Sequence, residues 1–299
     1  MELSWIMKLR IAAVAAVGVI FVSILAWPWE SPPDPFGAVF VNAISTSVAV
    51  TLLVMAFIAG LIAYFVAWPY GREIGVLAVP FGLAVWAVRA GNVAALMQLN
   101  PTIEQRQMIF KTLQWGPFFW LLVVGVGLGG VTLGQKIRPG YKFEETQEKD
   151  KLSSKTYLNI VITLVGSVLI IRFCLNLLAQ DVILSDNIYN SAMSQPAVGQ
   201  IAFSVLVSFG LVAFLVKKYL NVSYVWPVIS GPLVTAYSIM TYTKPNILGH
   251  FVESWPAVFF PDVVVSLLPV QIVAFGTIGS IAGYWMAVRY LYWRKHEIS

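Results

Sequence analysis

At 299 residues, 59% apolar and only 11% charged, the chain is far from a soluble domain, in which roughly 25% of residues are charged. Its apolar residues come in long runs rather than at helical or strand period, which marks membrane spans and excludes an ordinary soluble enzyme or binding module. The net charge of +5 does not point to nucleic acid, because the basic residues flank the apolar runs, where orientation in a bilayer explains them.

In chain order, Lys8 and Arg10 precede the apolar run Ile11–Trp27, an arrangement shared with secretory signals. The cleavage site is poor, since Ile24-Leu25-Ala26 is followed by bulky Trp27 and then Pro28. The run is therefore expected to be an uncleaved first span. Spans are expected over 11–27, 38–68, 74–99, 112–134, 156–180, 196–216, 224–243 and 263–291, a span needing roughly 20 apolar residues. The second and eighth are long enough to tilt. The seventh is interrupted by Pro227, Gly231 and Pro232. It reads either as a proline-kinked helix or as a broken one with Ser230, Thr235, Tyr237 and Ser238 beside the break.

Charge orients this arrangement. With the N-terminus inside, Lys8, Arg10, Arg72, Lys136, Arg138, Lys142, Lys149, Lys151, Lys155, Lys217, Lys218, Arg289, Arg294 and Lys295 all fall on the inner side, against Arg106, Lys111 and Lys244 outside. Acidic residues divide evenly, as expected when they contribute little to orientation. The expected fold class is thus an all-α integral membrane protein: one polytopic domain over 1–299, a bundle of about eight transmembrane helices with cytoplasmic N- and C-termini. Residues 135–155 would form a charged cytoplasmic loop and 244–262 an outer interfacial segment. A bacterial chain of this kind would sit in the cytoplasmic (inner) membrane.

Trp-Pro pairs at Trp27-Pro28, Trp68-Pro69 and Trp226-Pro227 fall at expected span ends, where Trp favours the headgroup level and Pro interrupts a helix. A fourth, Trp255-Pro256, lies in the apolar outer segment, which reads as an amphipathic surface helix or a re-entrant one. Gly125, Gly127 and Gly130 spell a dinucleotide fingerprint, but no strand precedes them. With Gly134, Gly279, Gly283, Ala56 and Gly60 they read instead as small-residue faces for close helix packing. Asn221-Val-Ser223 matches a glycosylation sequon but falls on the inner side.

Arg89 and Arg172 are the two cations placed inside spans, at matching expected depths, with none of the fourteen acidic residues in a span interior. An arginine there costs a few kcal/mol and faces protein, water or a partner. Arg172, Asn176 and Gln180 recur at i, i+4 and i+8, and Arg89 and Asn92 at i and i+3, so each arginine shares a face with amides. The segments VRAGNVAALMQ and IRFCLNLLAQ make a faint internal repeat. Two guanidinium groups beside amides suit a carboxylate or phosphate, so Arg89, Asn92, Arg172, Asn176 and Gln180 form a candidate ligand-binding set. The competing reading has each arginine bonding carbonyls at a helix break or reaching for headgroups.

No catalytic residue, metal site or cofactor is expected: His250 and His296 lie on opposite sides, and Cys174 stands alone. Asp181 and Asp262, at outer span ends, read as helix-terminus residues, and His250 with Glu253 as a solvated pair. Expected partners are the lipid bilayer, an anionic lipid or small anion, and a membrane partner subunit able to supply the missing carboxylate; nucleic acid is not one. The leading function is binding or transport of a small anionic or amphiphilic, lipid-like molecule. The alternatives are a structural subunit of a membrane complex, and an enzyme acting on a lipid-linked substrate through Asp181, His250, Glu253 or Asp262.

Overall fold

The structure, a computed structural model, describes residues 4–30, 44–91, 93–100, 102–140, 154–180, 182–184, 192–194, 196–253 and 262–297. The fold is that of an α-helical, multi-pass membrane protein. Seven stretches are long and apolar enough to cross a bilayer: Trp5–Leu25, Thr46–Val66, Gly71–Arg89, Ile103–Ile137, Thr156–Leu178, Val198–Leu220 and Pro269–Lys295.

The first helix, α1 (Trp5–Gly18), runs into a π-helical segment at Val19–Leu25 and is followed by the short α2 (Trp27–Glu30). The widened turns coincide with side-chain insertion. The Trp86 indole N–H donates to the Val22 carbonyl (2.9 Å) and the Ser23 hydroxyl to the Gly82 carbonyl (2.6 Å), the sort of intrusion that opens a helical ladder. Next come α3 (Thr46–Val66) and α4 (Gly71–Gly75). The stretch expected as one span over 74–99 is divided between α5 (Ala78–Arg89) and α6 (Val93–Leu99). The divide is Gly91, whose φ of 73° is the left-handed conformation that ends helices and that glycine adopts freely.

The long α7 (Ile103–Ile137) begins on a capping box of Thr102 and Gln105. At 35 residues it measures about 52 Å, so Arg106 and Lys111, expected in an outer loop, belong to its first turns. After α8 (Ser154–Leu178) an antiparallel pair, β1 (Val182–Leu184) with β2 (Ala192–Ser194), precedes α9 (Val198–Leu220). The seventh expected span is an unbroken helix, α10 (Val225–Tyr242), in spite of Pro232. The Ser230 hydroxyl donates to the Pro227 carbonyl (2.6 Å) and that of Thr235 to Gly231 (3.0 Å), so hydroxyls take up carbonyl capacity on both sides of the proline. The chain ends with α11 (Pro245–Glu253), a 3₁₀ turn at Val263–Ser266, and α12 (Pro269–Glu297).

The helices alternate between two ends of the bundle. One end is basic: Arg138 stacks 4.0 Å over Trp68, Arg10 5.8 Å over Tyr70 and Lys217 5.0 Å over Tyr284. The opposite end gathers α6, the start of α7 and α11. There the Gln107 amide donates to the Thr243 carbonyl at 2.8 Å. Because Tyr224 lies edge-on to Tyr284 (5.4 Å), α10 runs from the basic end to the opposite one, over about 27 Å for its 18 residues.

Three crossings bring backbones together at glycine. A Cβ on Gly18 would run into the Ala78 carbonyl of α5. On Gly60 it would meet the Gly127 carbonyl of α7, and on Gly283 that of Gly210 in α9. This is the close packing read from the small-residue faces. α12 packs on α5, α7, α9 and α10 and is the central helix, with 72% of its spanning window buried.

Gly60→Val or Gly283→Val is expected to lower stability by about 1–3 kcal/mol through overpacking. Gly166→Val, which meets no neighbour, should stay within about 0.5 kcal/mol of the parent. Thermal unfolding of the purified chain in mild detergent separates the two classes.

Candidate functional site

The candidate site lies at the end opposite the basic one, where the buried connector from Asp262 to Gln271 threads between α8, α10 and α5. Asp262 caps the 3₁₀ turn, its Oδ1 accepting from the Val264 amide at 3.2 Å. Its other oxygen lies 3.1 Å from Nη2 of Arg172. Arg172 therefore has an acidic partner within its own chain. The carboxylate expected from a partner subunit is supplied to Arg172 by Asp262. The acid sits at a span end by sequence but lies against α8, nine residues of buried connector following it.

Asn176, one turn beyond Arg172 on α8, accepts from the Val263 amide at 3.3 Å. Arg172 and Asn176 thus grip consecutive residues of the connector, as their i, i+4 spacing allows. Gln180 does not continue the stripe, because α8 ends at Leu178 and Gln180 is exposed outside it. The Arg172 side chain remains 43% exposed and that of Asp262 only 11%, and Asp262 is the one acidic partner of Arg172 among the described residues. Tyr242, at the end of α10, completes the group within electrostatic reach of both charges.

Arg89 is placed differently. It is the last residue of α5, not a residue of a span interior, and it lies exposed with its guanidinium 4.4 Å over the Trp27 ring. Trp27 in turn meets Trp86 edge-on at 5.3 Å, and Trp86 meets Trp120 at 5.7 Å. The cation thus crowns an aromatic stack that descends into the core, a geometry worth about 0.5–2 kcal/mol. The apparent repeat does not extend to structure: α5 stops at Arg89, whereas α8 continues past Arg172. Asn92 lies outside the described residues, as does Asp181.

The two arginine regions are joined by Gln271, which is fully buried. Its oxygen accepts from the Leu268 amide (3.0 Å), and its nitrogen donates to the carbonyls of Ala87 (3.3 Å) and Gly91 (3.5 Å). The start of α12 is thereby fastened to the end of α5. A glutamine inside an apolar run marks such a contact when its partners are helix-end carbonyls, and Gly91 was the available signal.

The deeply buried arginine is Arg106, 5% exposed, which the sequence places in a loop. Its Nε donates to the Asn100 carbonyl (2.9 Å) and its Nη2 to that of Met97 (3.1 Å). It closes the end of α6, where carbonyls lack helical donors. The carbonyl-bonding role considered for Arg89 and Arg172 is thus carried by a third arginine. Among the described residues no three His, Cys, Asp or Glu side chains gather as metal ligands do.

Arg106→Met should expose α6, with faster amide hydrogen exchange over 93–100 and a loss of about 1–3 kcal/mol for the orphaned carbonyls. A double-mutant cycle on Arg172→Leu and Asp262→Leu should give a coupling of about 1 kcal/mol, the small value expected for a pair still open to solvent on one side. No protein-family model, no curated protein and no solved structure matches this chain.

Proposed function

We propose that the protein binds a small anionic or amphiphilic molecule at the outer end of an eight-span bundle whose two termini face the cytoplasm. The orientation is supported by the lopsided distribution of Lys and Arg. The eighth crossing is supported by α10, whose first residues pack beside Lys217 and Tyr284 and whose last lie against α7.

The observation that carries the binding proposal is the half-open Arg172. A guanidinium offers five donors in a fork suited to carboxylate or phosphate, and Asp262 takes one side of it through Nη2. An incoming anion competes with Asp262 or shares the arginine with it. A molecule bearing both charges satisfies each partner. Arg89 at the same end adds a second cation at headgroup level.

The alternative of a structural subunit rested on a missing carboxylate and on the glycine faces. Asp262 and the α3–α7 and α9–α12 crossings offer partners for both within the chain, which favours the binding reading. The enzymatic alternative requires a general acid or base, and Asp262 is engaged twice, by Arg172 and by its own turn.

The test is calorimetric titration of hexyl phosphate, a soluble amphiphilic anion, into the chain held in phosphatidylcholine nanodiscs. Arg172→Gln should weaken binding by roughly tenfold, the value of one charge-assisted hydrogen bond. Asp262→Asn should tighten it by releasing the arginine. Unchanged folding and unchanged titration in both Arg89→Leu and Arg172→Leu would sink the proposal.

A further inference from the structure

A second region, at the basic end and remote from Arg172, has the chemistry of a lipid site. On α12, Met286, Arg289, Tyr290 and Trp293 recur at i, i+3, i+4 and i+7 and line an open cleft of about 330 Å³. α9 flanks it. The Lys218 ammonium lies 4.8 Å over the Tyr290 ring, and the Phe214 ring is 5.9 Å from that of Tyr290. Lys218 and Arg289 have no acidic partner among the described residues. One cation thus lies over the Tyr290 ring, and a second, Arg289, lines the same cleft.

Depth sorts these groups. α12 runs toward the basic end, so Met286 lies about 10 Å deeper than Trp293. Both are open to the surroundings, at 56% and 57%. Met286 lines the deep part of the cleft and Arg289, Tyr290 and Trp293 the rest, with Lys218 beside Tyr290. Tyr and Trp favour the headgroup level, and basic clefts between helices at a membrane surface hold anionic headgroups.

We propose that this cleft binds an anionic phospholipid of the adjoining leaflet. Its phosphodiester sits between Lys218 and Arg289, with Tyr290 and Trp293 at the headgroup and an acyl chain along Met286. The ligand is a lipid and not a free phosphate because the cleft is open and has Met286 as an apolar floor at its deep end. A soluble anion would leave that floor unfilled. The site is independent of the outer one, sharing no residue with it.

The experiment reconstitutes the full chain in nanodiscs of equal parts phosphatidylglycerol and phosphatidylcholine, then counts retained lipids by native mass spectrometry. The parent should retain phosphatidylglycerol selectively. Lys218→Gln with Arg289→Gln should reduce that selectivity by up to roughly thirtyfold, each membrane-surface charge being worth about fivefold. Lys111→Gln with Lys244→Gln, at the other end, should leave it unchanged. No selectivity in the parent, or full selectivity in the Lys218/Arg289 double variant, overturns the proposal. Photoreactive phosphatidylglycerol applied to the unaltered chain gives a readout that needs no variant. Labelling of the 286–293 and 214–218 peptides supports the site, and labelling confined elsewhere, including the outer end, refutes it.

Discussion

Close approach of helix backbones is the constraint on which everything else in this fold rests. In hydrocarbon, helices gain nothing by hiding leucine from a solvent as apolar as leucine, so association depends on packing and on satisfied polar contacts. The chain meets that requirement at Gly18 against Ala78, Gly60 against Gly127, Gly130 against Phe57 and Gly283 against Gly210. Each brings a carbonyl to where a side chain would otherwise stand. The α1–α5, α3–α7 and α9–α12 pairs built this way are then drawn around α12, which touches a member of each.

Polar groups pin what the glycines bring together. The buried connector from Asp262 to Gln271 is held at its start by Arg172 and Asn176 and at its end by the carbonyls of Ala87 and Gly91. Its part outside a regular α-helix, Asp262–Leu268, is tolerated at such a place only when protein surrounds it. The same bonds give this end of the bundle its chemical character. The charge pair that fixes the connector also leaves one face of a guanidinium exposed, so the fastening and the proposed site share one group of atoms.

Much of this was legible in the sequence, and the failures have specific causes. Long apolar runs, flanking charges and small-residue spacings depend on composition and local period, so the helices and their packing faces were readable from them. Seven stretches satisfy length and apolarity outright; α10 is more polar because part of its surface meets other helices, where Ser230, Thr235 and Ser238 are buried. Arg172 was identified as a costly cation, but its partner was not, since Asp262 is ninety residues away and reaches it only through the folded connector. Arg89 was placed too deep because hydropathy does not register a left-handed glycine two residues on. Arg106 was missed altogether. Twelve residues between expected spans look like a loop unless the capping box at Thr102 and Gln105 is given its full weight as a helix start.

The length of α7 has a consequence for the lipids themselves. About 52 Å of continuous helix exceeds a hydrocarbon core of about 30 Å, whereas α10 beside it measures about 27 Å. The capping box, Arg106 and the docked α6 and α11 place the surplus at the end opposite the basic one. The rod therefore carries a shoulder of protein standing above the acyl chains. A bilayer that thickened around the bundle would press the headgroups on that side against the shoulder, at a fraction of a kcal/mol per ångström. Unequal neighbouring helices thus limit how far surrounding lipid can rise along this protein.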